Sequence, residues 1–539
     1  MIDRWRAAVA FASVIAAGGI ATTAQTPAFD LVIVNATIVD GTGAPSRRGD
    51  VAIRDGRIVR IGSLGAASAL ERLDAAGLVL APGFIDVHTH ADDLAEHPRA
   101  ENFIRMGVTT VVAGNCGTSA LNIEEALTAI RDAGPSVNFA TLVGHNTVRE
   151  AVMRTSSTDP SLDQLSRMRA LVFKAMAEGA IGFSTGLQYV PGTYAKSNEI
   201  IELARVSANS GGIYATHMRN EGTALLDAID ESIRVAETLR MPLEISHLKV
   251  DSPSRWGTSA QALQRIDAAR ARGLSIQADA YAYTAAASTL SIRFPSWVLE
   301  GGAAKIAERL NDAETWARIK REMIDLLAAR GLRDLSFATV ATYARDPSLN
   351  GLSMRDVAAK IVGDSSADAQ LEAARRLMLG GGASMVYHLM SDDDVDRILR
   401  HPMVAVASDA SLVERGAGMP HPRAYGNTVR VLGEYVRTRH VLTLEDAVRR
   451  MTSLPAAFMG FANRGVIKEG AVADLVLFDA VRVADTATFA APHAFPLGLP
   501  YVIVNGQYAV KAGELTGERA GQVLQRQRPP ARVPAPIRP

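Results

Sequence analysis

The chain has 539 residues, 48% of them hydrophobic, with 57 Lys and Arg against 57 Asp and Glu. That length calls for a large domain with accessories, and zero net charge gives no electrostatic pull toward nucleic acid or an anionic membrane. One cysteine, Cys116, excludes an internal disulfide.

Arg4 and Arg6 precede an uncharged, mostly small and apolar run at 7–21, and Thr22-Thr-Ala-Gln25 follows. This pattern predicts a secretory signal peptide over residues 1–24, cleaved after Ala24. The mature protein is therefore expected to be exported, periplasmic or secreted, with no stable membrane association once the signal is gone.

Residues 25–80 read as strands. Leu31-Val-Ile-Val34, Thr37-Ile-Val39, Val51-Ala-Ile53 and Ile58-Val-Arg-Ile61 are separated by Asp40-Gly41, Gly49-Asp50 and Asp55-Gly56, the hairpin signal. The same grammar returns at 461–521, in Gly465-Val-Ile-Lys-Glu-Gly470, Ala473-Asp-Leu-Val-Leu-Phe478 and Tyr501-Val-Ile-Val-Asn-Gly506. Neither piece buries two faces alone, so both termini are predicted to pair into one small β-sandwich.

Between them, over 81–460, apolar runs alternate with amphipathic helical stretches such as 162–178, 197–209 and 223–240. The runs fall at 83–87, 109–113, 138–143, 182–183, 213–216, 243–246, 275–278 and 404–407. Strand–helix alternation with eight such runs predicts an α/β fold, a (β/α)8 TIM-like barrel with its chemistry at the C-terminal strand ends. The rhythm breaks at about 290–385, which predicts an inserted helical lid or subdomain with helices at 316–330 and 354–362. Residues 522–539, rich in Pro, Arg and Gln, are expected to be a disordered tail.

Metal-competent residues follow these runs. His88 and His90 are two apart at the end of the first strand and so share one side of it. Cys116 follows the second strand through Gly114-Asn115, His217 follows Ile213-Tyr-Ala-Thr216, His247 follows Leu243-Glu-Ile-Ser246, and Asp409 follows Val404-Ala-Val-Ala-Ser408. Each alone reads equally as a core or capping group. Six together at successive strand ends predict a metal centre. His145, in Val143-Gly-His-Asn146, also follows a strand, where a structural role suits it at least as well.

In chain order, Gly83-Phe-Ile-Asp-Val-His-Thr-His90, Gly114-Asn-Cys-Gly117, Gly182-Phe-Ser-Thr-Gly-Leu-Gln-Tyr-Val-Pro-Gly-Thr-Tyr-Ala195, Thr216-His-Met-Arg-Asn-Glu221, Ile245-Ser-His-Leu-Lys249, Asp279-Ala-Tyr-Ala-Tyr283, Ser408-Asp409 and His421-Pro-Arg-Ala-Tyr-Gly426 resemble the amidohydrolase superfamily. Within it they resemble the N-acyl-D-amino-acid deacylases, or D-aminoacylases. Many superfamily members bridge two metals with a carboxylated lysine; this branch carries a cysteine there, as here. Ala282 departs from the family's Tyr-Pro-Tyr and puts the local loop shape in question.

The resemblance implies a hydrolase of linear amide bonds that releases a carboxylic acid and a free D-amino acid. It implies one tightly bound zinc on Cys116, His217 and His247, and a second, weaker site on His88, His90 and Asp409 with Cys116 shared. Asp409 would serve as general base and then acid. The small-molecule substrate, an N-acyl amino acid, carries a carboxylate, for which Lys249 and Arg423 are the expected cations and Tyr281 or Tyr283 an added hydroxyl. Tyr189 and Tyr194 would line the acyl or side-chain pocket. Three alternatives stay open: a cyclic-amide hydrolase of the dihydroorotase or hydantoinase kind, an enzyme cleaving acylated dipeptides, and a catalytically silent scaffold.

Overall fold

The computed structural model describes residues 28–526, so the expected signal peptide and residues 527–539 of the expected tail lie outside the described residues. Eight short parallel strands form the central barrel: β1 (Phe84–Asp86), β2 (Val108–Ala113), β3 (Asn138–Thr141, resumed at Val143–Gly144), β4 (Gly182–Gly186), β5 (Ile213–His217), β6 (Leu243–Ile245), β7 (Ile276–Ala280) and β8 (Val404–Val406). Each pairs with the next in parallel register. Closure runs from β8 back to β1. There the Ser408 N–H donates to both Asp86 carboxylate oxygens, at 3.0 and 3.1 Å. The Asp409 N–H donates to the His88 carbonyl at 2.9 Å, and Ala410–Ser411 pairs in parallel with Thr89–His90.

The strands are buried on both faces, as in the wholly buried Val-Thr-Thr-Val-Val-Ala of β2, so they read as continuous runs without alternation. The helix Leu225–Leu239 buries Leu225, Ile229, Ile233 and Ala236 on one stripe against the barrel. The helix Leu162–Glu178 begins with a capping box in which Ser161 and Gln164 satisfy each other's backbone N–H groups.

The two termini share one sheet, joined where Val79–Pro82 runs antiparallel to Leu475–Phe478. Its nine strands are hydrogen-bonded continuously around a core that includes Leu31, Ile53, Leu80, Leu475 and Ile503. Both termini thus build the expected unit together, as one continuous sheet enclosing its own core. Gly465–Gly470 is not one of its strands; it forms turns whose Gly470 N–H donates to the Ile58 carbonyl at 2.7 Å.

The insertion is also more than helical. Ala286–Thr289, Ala338–Thr342 and Ser384–Tyr387 make a three-stranded antiparallel sheet beside the helices Gly302–Asn311, Ala313–Ala329, Met354–Ile361 and Ala367–Leu379. A separate core of Leu290, Trp316, Ile319, Val357 and Leu377 holds it together. Ala286–Thr289 has a largely half-buried pattern with Ser and Thr, too polar to stand out as a strand.

The start of the expected tail is docked. Phe139 N–H donates to the Gln522 carbonyl at 2.9 Å, and Arg526 donates to the Phe458 and Gly211 carbonyls at 2.6 and 3.1 Å. Backbone pairing holds this stretch where composition suggested none. Among the described residues, no helix is long and apolar enough to cross a membrane.

Candidate metal centre

The barrel's C-terminal rim brings all six expected residues together. Cys116 Sγ lies 3.3 Å from His88 Nε2, 3.6 Å from His217 Nδ1 and 3.6 Å from His247 Nε2. A thiolate sulfur and an imidazole nitrogen sharing one tetrahedral zinc, at bond lengths of about 2.3 and 2.05 Å, are about 3.6 Å apart. The donor set therefore fits zinc in chemistry and in spacing. Two overlapping groups, His88, His90, Cys116 and Asp409, and Cys116, His217 and His247, each keep their ligand atoms within 4.8 Å of one another.

The rings are aimed from behind. His217 Nε2 is 2.9 Å from Gln188 Oε1, His247 Nδ1 is 2.8 Å from Glu221 Oε1, and His88 Nδ1 is 3.3 Å from Asp279 Oδ2. For His217 and His88, an N–H held by an amide or carboxylate oxygen on one side of the ring leaves the lone pair on the other, the arrangement that metal-binding histidines need; His247 Nδ1 also meets Lys249 Nζ at 2.8 Å. Gln188, Glu221 and Asp279 were not singled out from the sequence. The signal was present: Glu221 closes Thr216-His-Met-Arg-Asn-Glu221, and Asp279 is a buried acid near the end of β7.

The backbone is bent to deliver these groups. Cys116, His247 and Asp409 have φ of 54°, 36° and 52°, left-handed values that cost a residue with a Cβ about 1–2 kcal/mol. Gly117 beside the cysteine also has positive φ, and a Cβ there would meet the Gly186 nitrogen at 2.6 Å. Only glycine lets these two strand ends approach so closely.

Electrostatics favour the ionised forms of the acidic groups. Burial pushes the Cys116 thiol up, but the surrounding His88, His217 and His247 rings outweigh it and hold the thiol well below its ordinary value. Burial likewise opposes ionisation of Asp409, and Arg423 together with the nearby rings overcomes it, holding the carboxyl well below the usual range. Asp409 Oδ1 sits 3.2 Å from His90 Nε2 and 3.5 Å from His88 Nε2, while Oδ2 is 2.8 Å from Arg423 Nη1.

A cavity of about 890 Å³ opens over the cluster, with Cys116, His90, Asp409, Arg423 and Tyr189 on its wall. Arg423 is 5% exposed, and its Nη1, although close to Asp409, has no aligned hydrogen-bond acceptor. Tyr189 packs on the His217 ring at 4.6 Å and shares a 3.2 Å hydroxyl contact with Ser288 of the insertion.

Other expected binding residues sit elsewhere. Lys249 does reach the side of His247, but its buried Nζ is held by Glu221 at 2.6 Å and by the His247 carbonyl at 2.9 Å, off the cavity wall. Two residues along an extended chain shared a side; the buried carboxylate then captured the ammonium. Tyr281 is buried beneath Arg423, 4.7 Å from its guanidinium, with its hydroxyl toward the Met390 sulfur. Tyr283 packs edge-on to His421, also buried and off the wall. The Tyr194 hydroxyl donates to the Ser296 carbonyl at 2.7 Å, tying its loop to the insertion. His145 is buried against Glu199 at 2.8 Å, outside both donor groups.

A closed (β/α)8 barrel that gathers a thiolate, imidazoles and a carboxylate at its active rim defines a metal-dependent hydrolase. The amidohydrolase family profile matches residues 71–510, and the chain belongs to that family. It is 37% identical over 522 residues to an N-acyl-D-glutamate deacylase of Alcaligenes xylosoxydans xylosoxydans, covering 92% of this chain and 96% of that one. It is 37% identical over 523 residues to a D-aminoacylase of the same organism, covering 92% and 98%. The solved structure of N-acyl-D-glutamate deacylase from Bordetella bronchiseptica, complexed with zinc and a phosphonate mimic of the tetrahedral intermediate, superposes with a TM-score of 0.80 at 36% identity, covering 92% of this chain and 99% of that one.

Proposed function

We propose that the protein is a zinc-dependent N-acyl-D-amino-acid deacylase. The observation that carries this reading is the sequence of groups on one cavity wall: the Cys116 donor cluster, Asp409 beside it, and Arg423 2.8 Å beyond Asp409. A donor set, a proton carrier and a carboxylate anchor thus stand in the order in which an N-acyl amino acid presents its amide and its α-carboxylate. The names of the relatives support the acyl-D-amino acid class.

Cys116, His217 and His247 would hold the tightly bound zinc, and His88, His90 and Asp409, with Cys116 shared, a weaker second ion. When bound, zinc supplies Lewis acidity at the scissile carbonyl and lowers the pKa of water toward neutrality. The chain's own groups do the rest. Arg423 takes the substrate carboxylate in its guanidinium fork. Asp409, ionised at rest, accepts a proton at a carboxylate oxygen from the attacking water and returns it to the departing nitrogen. Tyr189 shields the His217 ring from solvent on the cavity side.

A hydrolysis panel tests this: N-acetyl-D- and N-acetyl-L-amino acids, an acylated dipeptide and a hydantoin, run with metal analysis. Cleavage of the D series with about one zinc retained per chain is expected. Preference for the hydantoin or the dipeptide, or zinc retained with no hydrolysis, would overturn it. Export is proposed as well, supported by Arg4, Arg6 and the apolar run that follows them; an intact mass that begins at Gln25 in the exported fraction checks it.

A further inference from the structure

Equal identity to an N-acyl-D-glutamate deacylase and to a D-aminoacylase leaves open whether this chain takes an acidic side chain. The charge on the cavity wall decides it. Among the described residues, Arg423 is the only Lys or Arg there. It already faces Asp409 and, on the deacylase reading, receives the α-carboxylate.

Among the described residues no second Lys or Arg is on that wall, and Arg415, next to Glu414, is turned onto the Phe495 ring at 5.4 Å. Lys249 is neutralised by Glu221 and lies behind the wall. Arg293 adjoins Ile292, which does line the cavity, but its own guanidinium is turned onto the Tyr387 and Phe337 rings, at 4.1 and 5.6 Å. At the mouth, the His97 ring stands between two carboxylates, Asp93 at 3.7 Å and Glu414 at 3.6 Å. Glu414 itself is on the wall.

What faces the remaining space is apolar or hydroxylic. The insertion contributes Ile292, Phe294, Leu299 and Met385, and the loop after β8 adds Leu412 and Val413. Ser288 lies opposite Met385 in the small antiparallel sheet, and Thr289 opposite Ser384. A carboxylate placed here loses hydration without gaining a cation, and the Asp409 and Glu414 charges repel it. An aliphatic or thioether side chain meets matching surface, and a neutral amide finds hydroxyl partners.

We infer that the side-chain subsite selects N-acyl-D-amino acids with neutral side chains, apolar ones foremost, and rejects those of D-glutamate and D-aspartate. This rests on the deacylase reading. The decisive pair is N-acetyl-D-glutamine against N-acetyl-D-glutamate, alike in shape and different in charge, assayed on the zinc-loaded enzyme beside N-acetyl-D-leucine and N-acetyl-D-methionine. We expect kcat/KM for the glutamine compound to exceed that for glutamate by about 100-fold, with leucine or methionine at least as good as glutamine. A glutamine-to-glutamate ratio under about tenfold overturns the subsite assignment while the deacylase reading stands. No turnover of any of the four overturns both.

Discussion

Cys116 Sγ and His217 Nδ1 are separated by 101 residues of chain and by 3.6 Å of space. Two barrel strands and a left-handed turn at the cysteine are spent on that juxtaposition, and a thiol hydrogen bond alone would not require it. Cys116→Ala removes the sulfur common to both donor groups. It should cut the zinc content of the purified protein to a small fraction of the wild-type value, and activity by about 10³-fold or more, in the range of losses of an essential catalytic component. Elemental analysis after dialysis reads the first effect directly. Full zinc occupancy in the variant would refute the assignment of this sulfur.

Glu221 serves two groups at once, lying 2.8 Å from His247 Nδ1 and accepting from Lys249 Nζ at 2.6 Å. Glu221→Gln should weaken zinc binding by about 10–100-fold, because the ring loses its fixed orientation. It should also destabilise the fold by about 3–5 kcal/mol, because a buried ammonium is left without its counter-charge. The two effects separate in Glu221→Gln/Lys249→Met, which removes the stranded charge. Denaturant midpoints should recover in the double variant while zinc affinity stays low. Recovery of both would mean that Glu221 acts on the metal only through Lys249.

Arg423 keeps Asp409 ionised and, on the deacylase reading, anchors the substrate. Arg423→Met should raise KM for N-acetyl-D-amino acids by about 100-fold, the scale of a charge-assisted hydrogen bond to a carboxylate, about 2–3 kcal/mol. Its second effect concerns pH. The guanidinium lowers the Asp409 pKa, so its removal raises it, and a base that must be ionised then fails at a higher pH. The acid limb of kcat against pH should move upward in the variant. An unmoved acid limb would show that Asp409 is not the titrating base in the rate-determining step.

Why the strands and the converging donor residues were readable, while the partners of Lys249 and Tyr281 were not, follows from their physics. A strand buried on both faces leaves an unbroken apolar run in the sequence, and the barrel places what comes next at its rim. His88, Cys116, His217, His247 and Asp409 all follow such runs, so topology alone converges them. Lys249 and Tyr281 also sit at strand ends, yet their side chains were claimed by Glu221 and by packing under Arg423. Which partner captures a long side chain depends on neighbours far away in sequence. The three strands of the insertion were hidden for a related reason. Ala286–Thr289 and Ser384–Tyr387 pair across almost a hundred residues and line the cavity, so their hydroxyl-bearing positions carry no apolar signature.

The seam that closes the barrel holds a carboxylate of its own. Asp86 is buried and accepts from Ser408 N–H on both oxygens and from His88 N–H on one. Burial outweighs these bonds and pushes its pKa up to about 7. The sign of the linkage follows. Between the ordinary aspartate value and about 7 the folded state holds a proton that the unfolded chain has released, so stability falls as pH rises through that window. The full effect above pH 7 is about 4 kcal/mol. Asp86→Asn keeps an oxygen for the Ser408 and His88 N–H groups and carries no charge. In metal-free protein, where no cation competes with the proton, the variant should gain stability relative to wild type between pH 5 and pH 8 by about 2–3 kcal/mol, the part of that effect that falls inside the window. Denaturant unfolding at the two pH values measures the gap, and other titrating groups cancel in the difference. A gap that is the same at pH 5 and pH 8 would mean that the seam aspartate is already ionised in the folded barrel, its hydrogen bonds outweighing burial.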